Sequence, residues 1–208
     1  MLDNYKMLDN GVIKQITKTS TITYDYNYVN NSYNQYGELG MRMGHLRLGY
    51  LLGSIGFVPN SILDIGYGNG DFLKVCSTII KECYGSDVSG YPLPDNIKYV
   101  SDPYSEKYDV VSLFDVIEHF EDIYELKKIK TNYIYLSTPN CHYVDDNWFE
   151  NWKHRRPDEH LWHFNETSLK NFMLEIGYEC VDVSNIEDVI RKNDNKMSNI
   201  LTGIFKKI

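Results

Sequence analysis

The stretch Ser61-Ile-Leu-Asp-Ile-Gly-Tyr-Gly-Asn-Gly-Asp71 constrains this chain more than any other. An apolar run ending in an acid meets glycines at alternate positions, Gly66, Gly68 and Gly70. An amphipathic pattern starts directly afterwards, with Phe72, Leu73, Cys76, Ile79 and Ile80 on its apolar side. The three parts read as a buried strand, a tight loop and a helix. Residues without a Cβ let the backbone approach a ligand closely, and the unpaired N–H groups of a helix start point into the same space. A nucleotide cradle at a strand-to-helix turn is therefore the first expectation.

Spacing and charge narrow the ligand. A dinucleotide fingerprint needs its third glycine three residues after the second, where this chain has Asp71. Asp64, Asp71 and Asp87 would surround the loop with carboxylates, a poor setting for a pyrophosphate and a good one for a cationic ligand. S-adenosylmethionine carries a sulfonium and an ammonium and no phosphate. Cys83 to Asp87 reads as the second strand, and an acid at that position in a doubly wound fold accepts hydrogen bonds from ribose hydroxyls. Asp87 is assigned that role.

The chain has 208 residues, enough for one domain with a sizeable core, and a net charge of −8. No global basic field is present to hold a nucleic-acid backbone, so a polyanionic partner is not expected. Cys76, Cys83, Cys141 and Cys180 lack metal or redox spacing and read as reduced thiols. No stretch reaches the length of a membrane span and no signal pattern opens the chain, so a soluble, cytoplasmic protein is expected.

Residues 1–38 are polar and rich in tyrosine, with Tyr24, Tyr26 and Tyr28 alternating and no sustained helical period. They read as an N-terminal arm or lid ahead of a main domain at 39–208. Met41 to Leu52 reads as a helix, with His45 and Arg47 on a solvated face. Strands are expected at Ile97–Val100, Tyr108–Leu113 and Tyr133–Ser137. A last helix is expected from Thr167 to Ile176, stopped by Gly177, and then two closing strands, Tyr178–Ser184 and Ile200–Lys206. Alternating strands and helices give an α/β fold with a mostly parallel sheet.

Leu63-Asp-Ile-Gly-Tyr-Gly-Asn-Gly70 resembles motif I of class I S-adenosylmethionine-dependent methyltransferases, with Tyr67 where the family usually has Cys or another small residue. Phe114-Asp-Val-Ile-Glu-His119, Ser137-Thr-Pro-Asn140 and Asp158-Glu-His160 strengthen the resemblance, which spans roughly residues 40–208. It implies a Rossmann-like, doubly wound sheet of seven strands with the last strand antiparallel between the fifth and sixth. It also implies that S-adenosylmethionine is the cofactor and S-adenosylhomocysteine the product. Asp64, Gly66, Tyr67, Gly68, Gly70, Asp87, Val88 and Phe114 are then the cofactor-binding residues, and His119, Glu118 and His160 the catalytic ones. One departure is peripheral to the cofactor: many relatives carry Lys-Pro-Gly-Gly before the fifth strand, where this chain has Lys128-Ile-Lys-Thr-Asn132.

Methyl transfer from a sulfonium is an in-line displacement, so placement of the nucleophile does most of the work. A base is needed where the acceptor must lose a proton, and His119 is the leading base. Residues Cys141 to Phe164, dense in Trp, His and acid, are expected to build the acceptor wall. These readings point to O- or C-methylation of a small-molecule, sugar or carrier-linked acceptor.

Two alternatives accompany that reading. Asp115, Glu118, His119 and His160 also resemble the metal set of small-RNA 3′-terminal 2′-O-methyltransferases, which implies Mg²⁺ and an RNA acceptor; Asp115 and Glu118 would then share a helix face. Because Asp115 stands where that group has Glu, no metal is expected. The other alternative is a non-catalytic binding or structural protein that keeps the fold.

Overall fold

A computed structural model describes residues 1–33, 37–191 and 197–208. The chain opens with a hairpin, β1 (Tyr5–Met7) and β2 (Ile13–Gln15), then helices α1 (Tyr26–Tyr33) and α2 (Glu38–Ile55). Next come β3 (Ser61–Ile65), α3 (Asp71–Cys76), β4 (Glu82–Ser86), β5 (Lys98–Tyr99), β6 (Lys107–Phe114) and β7 (Lys130–Pro139). The chain closes with α4 (Asp146–Asn151), β8 (Trp162–His163), α5 (Glu166–Glu175), β9 (Tyr178–Ser184) and β10 (Ile200–Lys207). Seven strands form one sheet in the order β5-β4-β3-β6-β7-β10-β9. β10 runs antiparallel to both neighbours, β7 and β9, as the family topology implies.

Alternation along the strands divides the core. Leu63, Val111, Leu113 and Leu136 face one side and pack with Leu169, Phe172 and Met173 of α5. Ile62, Val110, Tyr135 and Ile204 face the other and pack with Leu48 and Leu51 of α2 and Phe72 and Leu73 of α3. A strand buried on both faces reads as a continuous apolar run, which is why β6 is so plain in the sequence. Gly44 sets the contact of α2 with α3: a Cβ there would stand 2.9 Å from Val75 Cγ2. Asn165 and Ser168 cap α5 reciprocally, at 2.8 and 3.0 Å, and Gly177 follows its end at φ +91°.

Some expectations shift. The helix after the glycine loop stops at Cys76 and leaves Ile79 exposed, because the Ser77 and Thr78 hydroxyls donate to the Lys74 and Val75 carbonyls at its end. The N-terminal stretch, expected to lack periodic structure, forms the β1–β2 hairpin and α1; β2 joins β8 through the pairs Ile13–His163 and Lys14–Trp162. Among the described residues, no helix is long and apolar enough to cross a membrane.

Arg47 corrects the solvated reading of α2. Its Nε and Nη2 donate to the two carboxylate oxygens of Glu187 at 2.8 and 3.0 Å, and its guanidinium lies 3.8 Å over the Phe114 ring. Arg191 reaches the same Glu187, 3.0 Å from Nε, and also grips Asp115 with two hydrogen bonds. Glu187 is fully buried. Removing one partner of a buried ion pair leaves uncompensated charge, so Glu187→Ala should destabilise the fold by about 3–5 kcal/mol in urea unfolding.

Asp64, at the carboxyl end of β3, supplies a pH test. Burial pushes its carboxyl up to about 7, against the opposing pull of the Ser112 hydroxyl and Arg47. Between its ordinary value, 3.8, and about 7 the folded state binds the extra proton, so this group's contribution to stability falls as pH rises. Asp64→Asn lacks that slope. Its stability relative to the parent chain should therefore rise from pH 4 to 7 and level off above, read from denaturation midpoints across that range.

Candidate functional site

The glycine loop leaves β3 with Gly66, Gly68 and Gly70 all at positive φ, between 58° and 76°. Gly66 donates to the Ser86 carbonyl at 2.7 Å, and a Cβ on it would stand 2.5 Å from Val116 Cγ2 on the loop after β6. Asp87, just past β4, accepts from Gly68 N at 2.9 Å and from Ser89 N at 2.7 Å. Each carboxylate oxygen thus holds one backbone N–H and keeps acceptor capacity. A cleft of about 410 Å³ opens here, at the carboxyl ends of β3, β4 and β6.

Of the residues assigned to the cofactor, Gly66, Gly68, Asp87 and Val88 line this cleft, with His119 beside them. The other four lie beneath it. Asp64 is buried and accepts from Ser112 Oγ at 2.7 Å. The Tyr67 hydroxyl donates to the Tyr91 carbonyl, Gly70 faces Leu93, and Phe114 lies under Arg47.

The second half of the site follows β6. Asp115 adopts φ +55° and turns to Arg191; burial opposes its ionisation, but the guanidinium prevails and holds the carboxyl at about 2. Ile117–His119 is a single 3-10 turn, so Asp115 lies outside it, and the shared helix face expected for Asp115 and Glu118 does not form. Glu118 is 1 % exposed and neither of its carboxyl oxygens has a hydrogen-bond partner among the described residues. Burial first, and then the Asp115 charge, pushes its carboxyl well above the usual range.

One ligand atom each from Glu118, His119 and His160 lies within 4.8 Å of the others, and the two imidazole centroids are 4.7 Å apart. His119 Nδ1 sits 2.9 Å from the Glu159 carbonyl and His160 Nδ1 sits 2.8 Å from the His154 carbonyl. A carbonyl only accepts, so both Nδ1 atoms carry hydrogen and both Nε2 atoms keep a lone pair. Burial lowers both imidazoles, His160 to about 3, so both are neutral near pH 7.

Sequence reasoning missed the outer wall. Tyr24, Tyr28 and Val29 line the cleft from the N-terminal segment, Tyr99 lines it from the end of β5 and Tyr104 from the loop that follows. The alternating tyrosines were visible, but nothing local said what they face. The tryptophans expected in the acceptor wall pack elsewhere. Trp148 and Trp152 stack at 5.5 Å and join Phe149 and Tyr5 under the small sheet, and they do not line the cleft.

The comparisons accord with this geometry. A search of curated proteins finds no match. Among solved structures, magnesium protoporphyrin IX methyltransferase from Synechocystis, crystallised with S-adenosylhomocysteine, is 15% identical with a TM-score of 0.59, covering 88% of this chain and 96% of that one. The plantazolicin methyltransferase BpumL, with a monoazolic desmethylplantazolicin analogue and S-adenosylhomocysteine, is 14% identical at 0.58, covering 87% and 89%. The methyltransferase domain of bacterial CtHen1 is 18% identical at 0.55, covering 80% and 99%. At these identities the likeness is one of fold. The model of the methyltransferase domain family matches residues 38–183, the greater part of the chain, and on that match and this fold the chain belongs to the class I S-adenosylmethionine-dependent methyltransferases.

Proposed function

We propose that the chain transfers a methyl group from S-adenosylmethionine to the hydroxyl of a small-molecule, sugar or carrier-linked acceptor, with His119 taking the acceptor's proton. The observation that carries this reading is the neutral imidazole of His119 beside the glycine-loop cleft, its Nδ1–H committed to a backbone carbonyl and its Nε2 thereby left with the lone pair. A base so placed serves an acceptor that must lose a proton, which favours O–H over carbon. The cofactor supplies an electrophilic methyl on a sulfonium when bound. Asp87 has free acceptor capacity for ribose hydroxyls, and Gly66 and Gly68 allow the backbone to approach. Asp64, Tyr67, Gly70 and Phe114 act from below by fixing the loop. Residues 1–38 serve as a lid on the catalytic domain at 39–208: Tyr24, Tyr28 and Val29 narrow the cleft and exclude water from the reacting atoms. The modest cleft and the acidic chain support a small acceptor over RNA.

The buried, unpartnered Glu118 favours a second reading, in which Glu118, His119 and His160 hold a divalent cation. The donor set fits: one carboxyl without a hydrogen-bond partner among the described residues and two imidazoles, both oriented by carbonyls as metal-binding imidazoles are. Such an ion would polarise an acceptor hydroxyl, and it brings back the RNA 2′-O-methyl acceptor class. Asp115 is held by Arg191 and contributes to neither reading.

Two measurements test these readings. Asp87→Ala should weaken S-adenosylhomocysteine binding by about 1–3 kcal/mol in calorimetry, the cost of leaving ribose hydroxyls unpaired; a parent chain that binds NAD and not S-adenosylhomocysteine would sink the proposal. Methyl-labelled cofactor offered with a metabolite extract, and separately with an RNA fraction, identifies the acceptor class. With that acceptor, His119→Ala should lower turnover by about 10²–10⁴-fold while chelator leaves it unchanged. Stoichiometric Mn²⁺ binding that Glu118→Gln abolishes, with turnover lost to chelator, would select the metal reading.

A further inference from the structure

We propose that Tyr24 is a positioning residue for His119, and that the segment carrying it is fastened by Asp158, so that docking the N-terminal strap and orienting the imidazole are one event. The proposal rests on His119 being the working group of the site. The Tyr24 hydroxyl lies 3.0 Å from His119 Nδ1, the same nitrogen that donates to the Glu159 carbonyl. That nitrogen has one hydrogen. If the phenol donated to it, the Glu159 carbonyl would face a lone pair at 2.9 Å. The assignment that satisfies both partners has Nδ1–H shared between two acceptors, the carbonyl and the phenol oxygen. Tyr24 thereby adds to the preference for a bare Nε2.

The strap is held from the same short loop that holds His119. Gln15 Nε2 donates to Asp158 Oδ1 at 2.7 Å and the Asp158 N–H donates back to Gln15 Oε1 at 2.9 Å. The Thr19 and Ser20 hydroxyls donate to Asp158 Oδ2 at 2.6 and 2.9 Å. Asp158 is buried at φ +67°, a left-handed conformation that this set of contacts sustains. Three consecutive residues thus fasten the strap, offer the carbonyl to His119 and present the second imidazole: Asp158, Glu159 and His160. The strap then returns over the cleft, where Tyr24 closes the circuit on His119 and Tyr26 stacks on Tyr91 at 5.2 Å.

The test reads the tautomer of His119 directly, by nitrogen NMR of the ¹⁵N-histidine-labelled full chain at one alkaline pH. It needs neither acceptor nor cofactor. The parent chain should show the Nδ1–H tautomer. Tyr24→Phe keeps the ring and removes the oxygen, and should raise the Nε2–H population about fivefold, the worth of one hydrogen bond. Thr19→Val with Ser20→Ala removes two strap donors to Asp158 without substituting a residue of the 158–160 loop; it should produce the same shift, and combining it with Tyr24→Phe should add nothing further. An Nε2–H tautomer in the parent chain, a population unmoved by Tyr24→Phe, or full additivity of the two changes overturns the proposal. Failure there leaves the methyl-transfer reading intact. Conversely, a His119→Ala chain of undiminished turnover would sink the role of His119 whatever its tautomer.

Discussion

A parallel sheet covered on both faces has little place for a charged side chain except at the ends of its strands, and the chemistry of this protein follows from that constraint. β3, β4 and β6 bury mainly apolar side chains and release the chain at their carboxyl ends. There the glycine loop, Asp87 and the segment 115–119 appear together. Asp64 is a carboxyl buried within the strands around the cleft, and it is accommodated by the Ser112 hydroxyl and by burial that favours its protonated form. The sheet therefore decides where function can be, and the loops decide what it is.

Charge is then sorted by partner. Asp115 and Glu118 are close in sequence, the first partly buried and the second fully, and they end in opposite states. Asp115 stands outside the 3-10 turn and is ionised by Arg191; Glu118 lies within it, and burial favours its protonated form. Arg191 is itself held by Glu187, which also anchors Arg47 on the helix before the cofactor loop. One ion network thus links α2, the end of β6 and the segment after β9. Its effect at the site is to tie Asp115 to Arg191, so that it is not one of the three side chains that cluster there.

The strands and the glycine loop were legible because each rests on a local signal, an apolar run, a turn residue or a cap, whereas the place of the last strand came from the family resemblance. Tyr178–Ser184 and the Gly177 stop were read to the residue. The site was legible in part. Gly66, Gly68, Asp87, Val88 and His119 reach the cleft, while Asp64, Tyr67, Gly70 and Phe114 sit a layer below, because a motif records which residues build a loop and not which of its faces they show. Arg47 and Glu187 are 140 positions apart, and no periodicity links them. Tyr24 and His119 are 95 apart, joined through a segment without regular structure. Contacts of that kind depend on the finished fold, so they fall outside what pattern reading can supply.

The small sheet has a role that its size conceals. β8 is only two residues long and would not hold its place alone, yet the loop that orients both imidazoles runs directly into it. Its pairing with β2 fixes one end of that loop, and the Leu161 N–H bonded to the Glu118 carbonyl at 2.7 Å ties the other strand end to the 3-10 turn. Gln15, the last residue of β2, continues the connection with its backbone N–H on the Leu161 carbonyl and its side chain on Asp158. The N-terminal hairpin is therefore part of the frame that positions His119 and His160. A cofactor cleft can be formed by the seven-stranded sheet and its loops, but the imidazole pair beside it is assembled across the first 24 residues and the 154–163 segment together.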